Sequence, residues 1–319
     1  MLYTLLKIPA RIALHLYCRK LSINKKEWLH QKGPLLIACN HPNSFLDAII
    51  LSTLFDQPVH SLARGDAFGN KFYARLLGLL NMFPVYRVSE GTENLEHNYK
   101  TFADCKELFK NNGVVLIFSE GRCVNEWHLR PLKKGTARLA ISSWQQGIPL
   151  QVLPTGINYS SFKSFGKNII LNFGEPLTID NTAWKETDGK TILKFNAQLR
   201  QQLELLVIEK DIHDKAGVRK KFFVSQPPLK RLLLAFPAAL GWLLHWPLAF
   251  PVKQFALHGI KEDGHYDSVM MGLLFICYPF YLAIFAILTA WVIGGWWWLL
   301  SFIVLPFLAW AYVQLKSQF

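Results

Sequence analysis

His41 and Asp47 stand six positions apart, just after the apolar run Leu35–Cys39 and inside a segment whose apolar spacing predicts a helix over residues 44–55. A buried strand would deliver the histidine to its carboxyl end, which is where open α/β sheets bind ligands. An acid in the first turn of the next helix can fold back on one imidazole nitrogen, leaving the other to take a proton from an alcohol. Such a spacing is weak evidence alone, because His60 and Asp66 repeat it and His258 and Asp263 come within one residue of it. Context separates them. His258 falls in the polar stretch between two greasy segments, and Arg64 with Asp66 reads as a structural ion pair or a turn.

A second apolar run, Val114–Phe118, ends in Ser119-Glu120-Gly121-Arg122, and Leu132-Lys133-Lys134-Gly135 then leads into another predicted helix. Glu120 can accept hydrogen bonds from hydroxyl groups. Arg122, Lys133 and a helix N-terminus can hold phosphate, so the set suits a phosphorylated polyol. Phe83-Pro84-Val85-Tyr86-Arg87 is a further strand ending in a cation. Backbone amides or a lysine near residues 133–135 are candidates for steadying an oxyanion.

These side chains need a sheet to gather them. Apolar runs at 34–39, 59–63, 83–86, 114–119, 150–158 and 169–173 alternate with helical patterns at 44–55, 71–80, 95–110, 134–146 and 191–211. That alternation predicts an α/β fold, a mixed and mostly buried sheet flanked by helices, across a domain at residues 21–226. Residues 1–20 place Lys7, Arg11, Arg19 and Lys20 opposite an apolar face, the pattern of an interfacial amphipathic helix.

The whole chain of 319 residues is 51% hydrophobic and 18% charged, yet carries a formal net charge of +13. Most of that charge lies before residue 230, and residues 229–319 read as a membrane region. Met270–Val313 contains no Asp, Glu, Lys or Arg. It is about twice the ~20 residues that cross a bilayer, so a helix hairpin divided at Gly294-Gly295 is expected. Leu232–Phe250 reads as a third span or a re-entrant helix, because Pro237 and Pro247 interrupt it. A basic body with a greasy tail favours a bilayer as partner and disfavours nucleic acid, a disordered chain or a transporter, whose path would need acids or bases within the greasy segments. The five cysteines lack any C-x-x-C pair. Neither a disulfide framework nor a metal site is expected, and a reducing compartment is.

Taken in order, Asn40-His41…Asp47, Phe83–Arg87, Phe118-Ser119-Glu120-Gly121-Arg122 and Val152-Leu153-Pro154 resemble the four blocks of the glycerolipid acyltransferase family. The resemblance runs over residues 30–180. It implies that His41 is the general base and Asp47 its orienting acid, and that Arg87, Glu120 and Gly121 bind the acceptor. Pro154 is implied to shape the acyl-donor side, and Lys133-Lys134 matches the family's basic step. Two departures stand out. Five residues rather than four separate His41 from Asp47, and Ser119 replaces a usual proline.

The implied reaction moves a fatty acyl group from an acyl-CoA or acyl-carrier-protein thioester, with no other cofactor, to a hydroxyl of 1-acylglycerol-3-phosphate. Glycerol-3-phosphate and a lyso-aminolipid are the alternative acceptors, and an inactive lipid-binding scaffold is the alternative of another class. The expected location is a bacterial inner membrane or its equivalent, with the catalytic domain on the cytoplasmic face.

Overall fold

The computed structural model describes residues 2–86, 96–182, 189–211, 213–258 and 263–318. Seven strands form one sheet in the order β1-β7-β6-β2-β5-β3-β4. They are β1 (Cys18–Ile23), β2 (Leu35–Cys39), β3 (Val59–Arg64), β4 (Met82–Val85), β5 (Val114–Phe118), β6 (Gln151–Tyr159) and β7 (Lys167–Phe173). β2 pairs in parallel with both β5 and β6, whereas β6 and β7 are antiparallel, so the sheet is mixed as the sequence suggests.

Every residue of Leu35–Cys39 is 0% exposed. A strand covered on both faces has no polar side to alternate with, which is why this run reads as unbroken apolar sequence. Leu35, Ile37 and Cys39 join a core with α1 (Leu2–Tyr17) and α2 (Phe45–Leu54). Leu36 and Ala38 point into a second core with α4 (His97–Lys110), α5 (Gly135–Gln145) and α6 (Gly189–Leu206). Between the strands, α3 spans Lys71–Leu79, and Asn70 caps it by accepting from the Phe72 N–H.

The N-terminal helix stops at Tyr17, and Cys18–Ile23 is an edge strand rather than the helix end expected through residue 20. The register against β7 shifts between Cys18 and Lys20, which takes Arg19 out of the ladder. Arg19 is instead buried against the Val313 and Lys316 carbonyls. On α1 the lysine faces inward, since Lys7 donates to the Phe55 and Asp56 carbonyls at the end of α2. Leu5, Ile8 and Ile12 face outward and stay exposed.

After α7 (Lys215–Phe222), capped by Asp214 onto the Gly217 N–H, come three apolar helices. α8 (Pro228–His258) continues through Pro237, Pro247 and Pro251, well beyond the expected Leu232–Phe250, and takes in His258 as its last residue. α9 (Tyr266–Ile293) and α10 (Ser301–Leu315) form the hairpin, broken at Gly294-Gly295, where φ is 71° and 59°. α8, α9 and the stretch Trp297–Leu315, in which a short helical turn leads into α10, are long and apolar enough to cross a membrane. α8 and α10 approach so closely that a Cβ on Gly241 would lie 2.1 Å from the Leu308 carbonyl oxygen, the close contact that small residues allow between apolar helices.

Candidate active site

Parallel pairing puts Cys39 beside Phe118, so the chains leaving β2 and β5 emerge together. The Ser119 N–H bonds the Cys39 carbonyl at 2.9 Å and extends the ladder by one step. On the other side, the Asn40 amide binds the Ile157 backbone in both directions, at 3.1 and 2.8 Å. These contacts fix the residue before His41. The imidazole then stacks on Phe118 with ring centroids 3.8 Å apart and 10° between planes.

His41 Nδ1 lies 2.9 Å from Asp47 Oδ2, and the two side chains are 17% and 0% exposed. Asp47 is further held by the Asn43 N–H on Oδ2 at 2.8 Å and by the Tyr159 hydroxyl on Oδ1 at 2.6 Å. Hydrogen bonds to a charged acceptor are each worth ~1.5–3 kcal/mol. A carboxylate with three such partners is fixed in place and accepts the Nδ1 proton. His41 Nε2 has no hydrogen-bond partner among the described residues.

The long His-to-Asp spacing has a local cause. Ser44 adopts φ 51° and ψ −135°, unusual for a residue with a side chain, immediately before the helix begins at Phe45. This left-handed step absorbs the additional residue and returns Asp47 toward His41. It is fastened from outside by the Ser44 N–H on Cys123 Sγ at 2.9 Å and by Ser44 Oγ against His265 Nδ1 at 2.6 Å.

Glu120 is buried at the end of β5, 5% exposed, and the His41 backbone N–H bonds its carboxylate. Burial pushes its carboxyl up to about 7; the His41 N–H and Arg130 oppose the rise, and the Asp47 charge adds to it. At neutral pH such a group is divided between a form that donates and one that accepts. Gly121 follows with φ 65°, and a Cβ there would lie 2.9 Å from Lys133 Cγ, so the lysine stem lies across the glycine. Arg122, Lys133 and Lys134 are exposed, and none has a carboxylate within ion-pair distance among the described residues. The Lys133 N–H is already bonded to the Ser119 carbonyl at 2.7 Å, which removes one of the expected oxyanion donors.

The structure thus brings His41, Asp47, Glu120, Gly121 and Lys133 to one edge of the sheet. Arg87 lies outside the described residues. Pro154 is buried inside β6 opposite Ala38, and its ring packs near Gly174 on the α6 side. Arg64 and Asp66 do form an ion pair, on the surface. Sequence reasoning gave no role to Asn40, Asn43, Tyr159 or Arg130. Asn40 and Asn43 flank the His41-Pro42 step, and polar residues in so apolar a setting were a usable signal. Tyr159 sits far along the chain, at the end of a buried strand, with no local mark.

Residues 20–158 match the family model described as Acyltransferase. A curated 1-acyl-sn-glycerol-3-phosphate acyltransferase of Bacillus subtilis is 27% identical over 156 residues, 49% of this chain and 72% of that protein. Glycerol-3-phosphate O-acyltransferase 2 of Saccharomyces cerevisiae is 24% identical over 135 residues, 41% of this chain but only 18% of the yeast protein's length. The crystal structure of the 1-acyl-sn-glycerophosphate acyltransferase PlsC from Thermotoga maritima aligns with a TM-score of 0.43 and 16% identity, covering 69% of this chain and 81% of that one. The stretch that matches the family model is the one that carries His41, Asp47 and Glu120.

Proposed function

We propose that the protein transfers a fatty acyl group from an acyl thioester to the free hydroxyl of 1-acylglycerol-3-phosphate. The observation that carries this reading is the 2.9 Å contact between His41 and a fully buried Asp47 at a strand end. The acceptor hydroxyl gives its proton to His41 Nε2 while its oxygen attacks the thioester carbonyl carbon. Asp47 holds the Nδ1 proton and stabilises the imidazolium that forms. When the tetrahedral adduct collapses, the C–S bond breaks, the new C–O bond remains, and His41 returns its proton to the departing sulfur. A scaffold that had lost this reaction would have no use for a base oriented by a carboxylate that two further donors hold.

Glu120 would bind acceptor hydroxyls, and Arg122, Lys133 and Arg87 would hold the phosphate. Pro154, enclosed in the sheet, would influence the donor side only through the strand it stiffens. The acyl donor is a coenzyme A or carrier-protein thioester. The acceptor is assigned to a lysophospholipid because the His41–Asp47 turn packs directly on the start of an apolar helix, where an acyl-bearing substrate would be at hand. The α/β body would lie on the cytoplasmic face of a bacterial inner membrane or its equivalent.

The test is thiol release by the detergent-purified full chain from one acyl-CoA, with 1-acylglycerol-3-phosphate, glycerol-3-phosphate or a lyso-aminolipid as acceptor. Release dependent on the first acceptor is expected, together with a fall of about 10²–10⁴-fold in His41→Ala. Full release by His41→Ala would overturn the mechanism, and release with another acceptor alone would reassign the substrate.

A further inference from the structure

The most deeply buried ion pair in the described chain lies next to the dyad without belonging to it. Lys167 of β7 and Asp267 in the first turn of α9 are in direct contact, and both side chains are 0% exposed. Removing two charges from water costs several kcal/mol per ion, and well-packed apolar residues often replace such a pair with no loss of stability. A helix that only anchored the chain in lipid would gain nothing from starting with a sealed carboxylate.

The partners of Asp267 lead to the active-site turn. Its Oδ2 accepts from Asn43 Nδ2 at 2.8 Å as well as from Lys167, and its Oδ1 accepts from the Tyr17 hydroxyl at 2.9 Å. Asn43 is the residue whose backbone N–H holds Asp47. The neighbours of Asp267 grip the same turn. Ser268 Oγ accepts from the Leu46 N–H at 3.2 Å and donates to the Asn43 carbonyl at 3.4 Å. His265 Nδ1 meets Ser44 Oγ at 2.6 Å. His265, Asp267 and Ser268, at and just before the start of α9, therefore hold Asn43, the left-handed Ser44 and the first turn of α2.

We propose that Asp267, fixed by Lys167, is a positioning residue for the His41–Asp47 dyad. The start of α9 sets the Asn43–Ser44 backbone so that Asp47 meets the imidazole, and the first helix of the apolar hairpin is thereby part of the catalytic apparatus. This rests on the acyl-transfer reading above. Asp267 touches no reacting atom. Its loss is expected to lower kcat and leave the KM values for donor and acceptor unchanged.

The test compares Asp267→Asn, Asn43→Ala and the double variant in thiol release by the full-length chain in detergent, with His41→Ala alongside. A small displacement of a reacting group costs up to about 100-fold. Each single variant should lose about 10- to 100-fold in kcat at unchanged KM, and the double variant should lose no more than the worse single, because both act through one contact. Wild-type kcat in folded Asp267→Asn, or losses that multiply in the double variant, would overturn the proposal. Should Asp267→Asn fail to fold, Ser268→Ala and Asn43→Ala decide the matter, and unchanged kcat in both overturns it. If His41→Ala also keeps full activity, the acyl-transfer reading itself has failed. If only Asp267→Asn keeps it, that reading stands and this one falls.

Discussion

Asp47 and Asp267 are nearly duplicate sites. Each is fully buried, accepts a tyrosine hydroxyl on Oδ1 and a nitrogen of Asn43 on Oδ2, and faces one basic side chain. They part at the base. His41 is 17% exposed and its Nε2 has no partner among the described residues, whereas Lys167 is sealed at 0%. On the proposed reading, the same donor set serves proton transfer where the base is partly exposed, and a fastening where it is sealed. A buried carboxylate is thus defined less by its own contacts than by whether its partner has an outlet to substrate.

The comparison breaks most severely at Lys167. Lys167→Met leaves Asp267 buried without its counter-charge, and a loss of about 3–5 kcal/mol in unfolding free energy is expected. Adding Asp267→Leu should restore much of the stability without restoring kcat, as thermal melting and thiol release together would report. Restored kcat would mean that the pair only fills space.

Glu120 sharpens the contrast, because its own backbone donor is outweighed by burial, and its pKa rises from the ordinary 4.5 to about 7. A carboxyl with a raised folded-state pKa binds more protons folded than unfolded, so its contribution to stability falls as pH rises between about 4.5 and 7. Glu120→Gln should therefore melt higher than the parent at pH 8, by up to about 3 kcal/mol, and show little of this advantage at pH 4. An equal difference at both pH values would mean that Glu120 is not held protonated by its site.

The smallest effects come from the matched tyrosines. Tyr159→Phe and Tyr17→Phe each remove one hydroxyl from one aspartate, and each should cost about 1–2 kcal/mol in melting experiments. Their kinetics should differ, with kcat falling about tenfold for Tyr159→Phe and only about two- to threefold for Tyr17→Phe. Equal kinetic losses would remove the distinction between an acid that orients the base and one that orients the turn.

The strand-to-turn geometry around His41 and Glu120 was legible in the sequence because both follow buried parallel strands, whose unbroken apolar runs stand out. The α9–α10 hairpin was legible for a similar reason, a long stretch without charge broken by two glycines. Other features depend on contacts between distant positions. Asp267 lies 224 residues from Asn43, and nothing local distinguishes it from a flanking surface acid. Edge strand β1 was hidden because Arg19 leaves the ladder, so the charge that seemed to continue an amphipathic helix is buried against α10. α8 extends beyond the expected Leu232–Phe250 because Pro237 and Pro247, which interrupt the sequence pattern, are held within one helix that packs closely on α10.

The apolar region also returns to where it starts. α9 begins on the Asn43–Ser44 turn, and α10 ends with Val313 and Lys316 on Arg19 and Gln318 on Asn168, all on the same α/β body. Even α8 is joined to that body's core near its far end, through Val252 and Ala256. A hairpin tethered at both feet can enter a bilayer from one side alone. The stretch from Met270 to Val313 holds no acidic or basic side chain that hydrocarbon would have to accommodate.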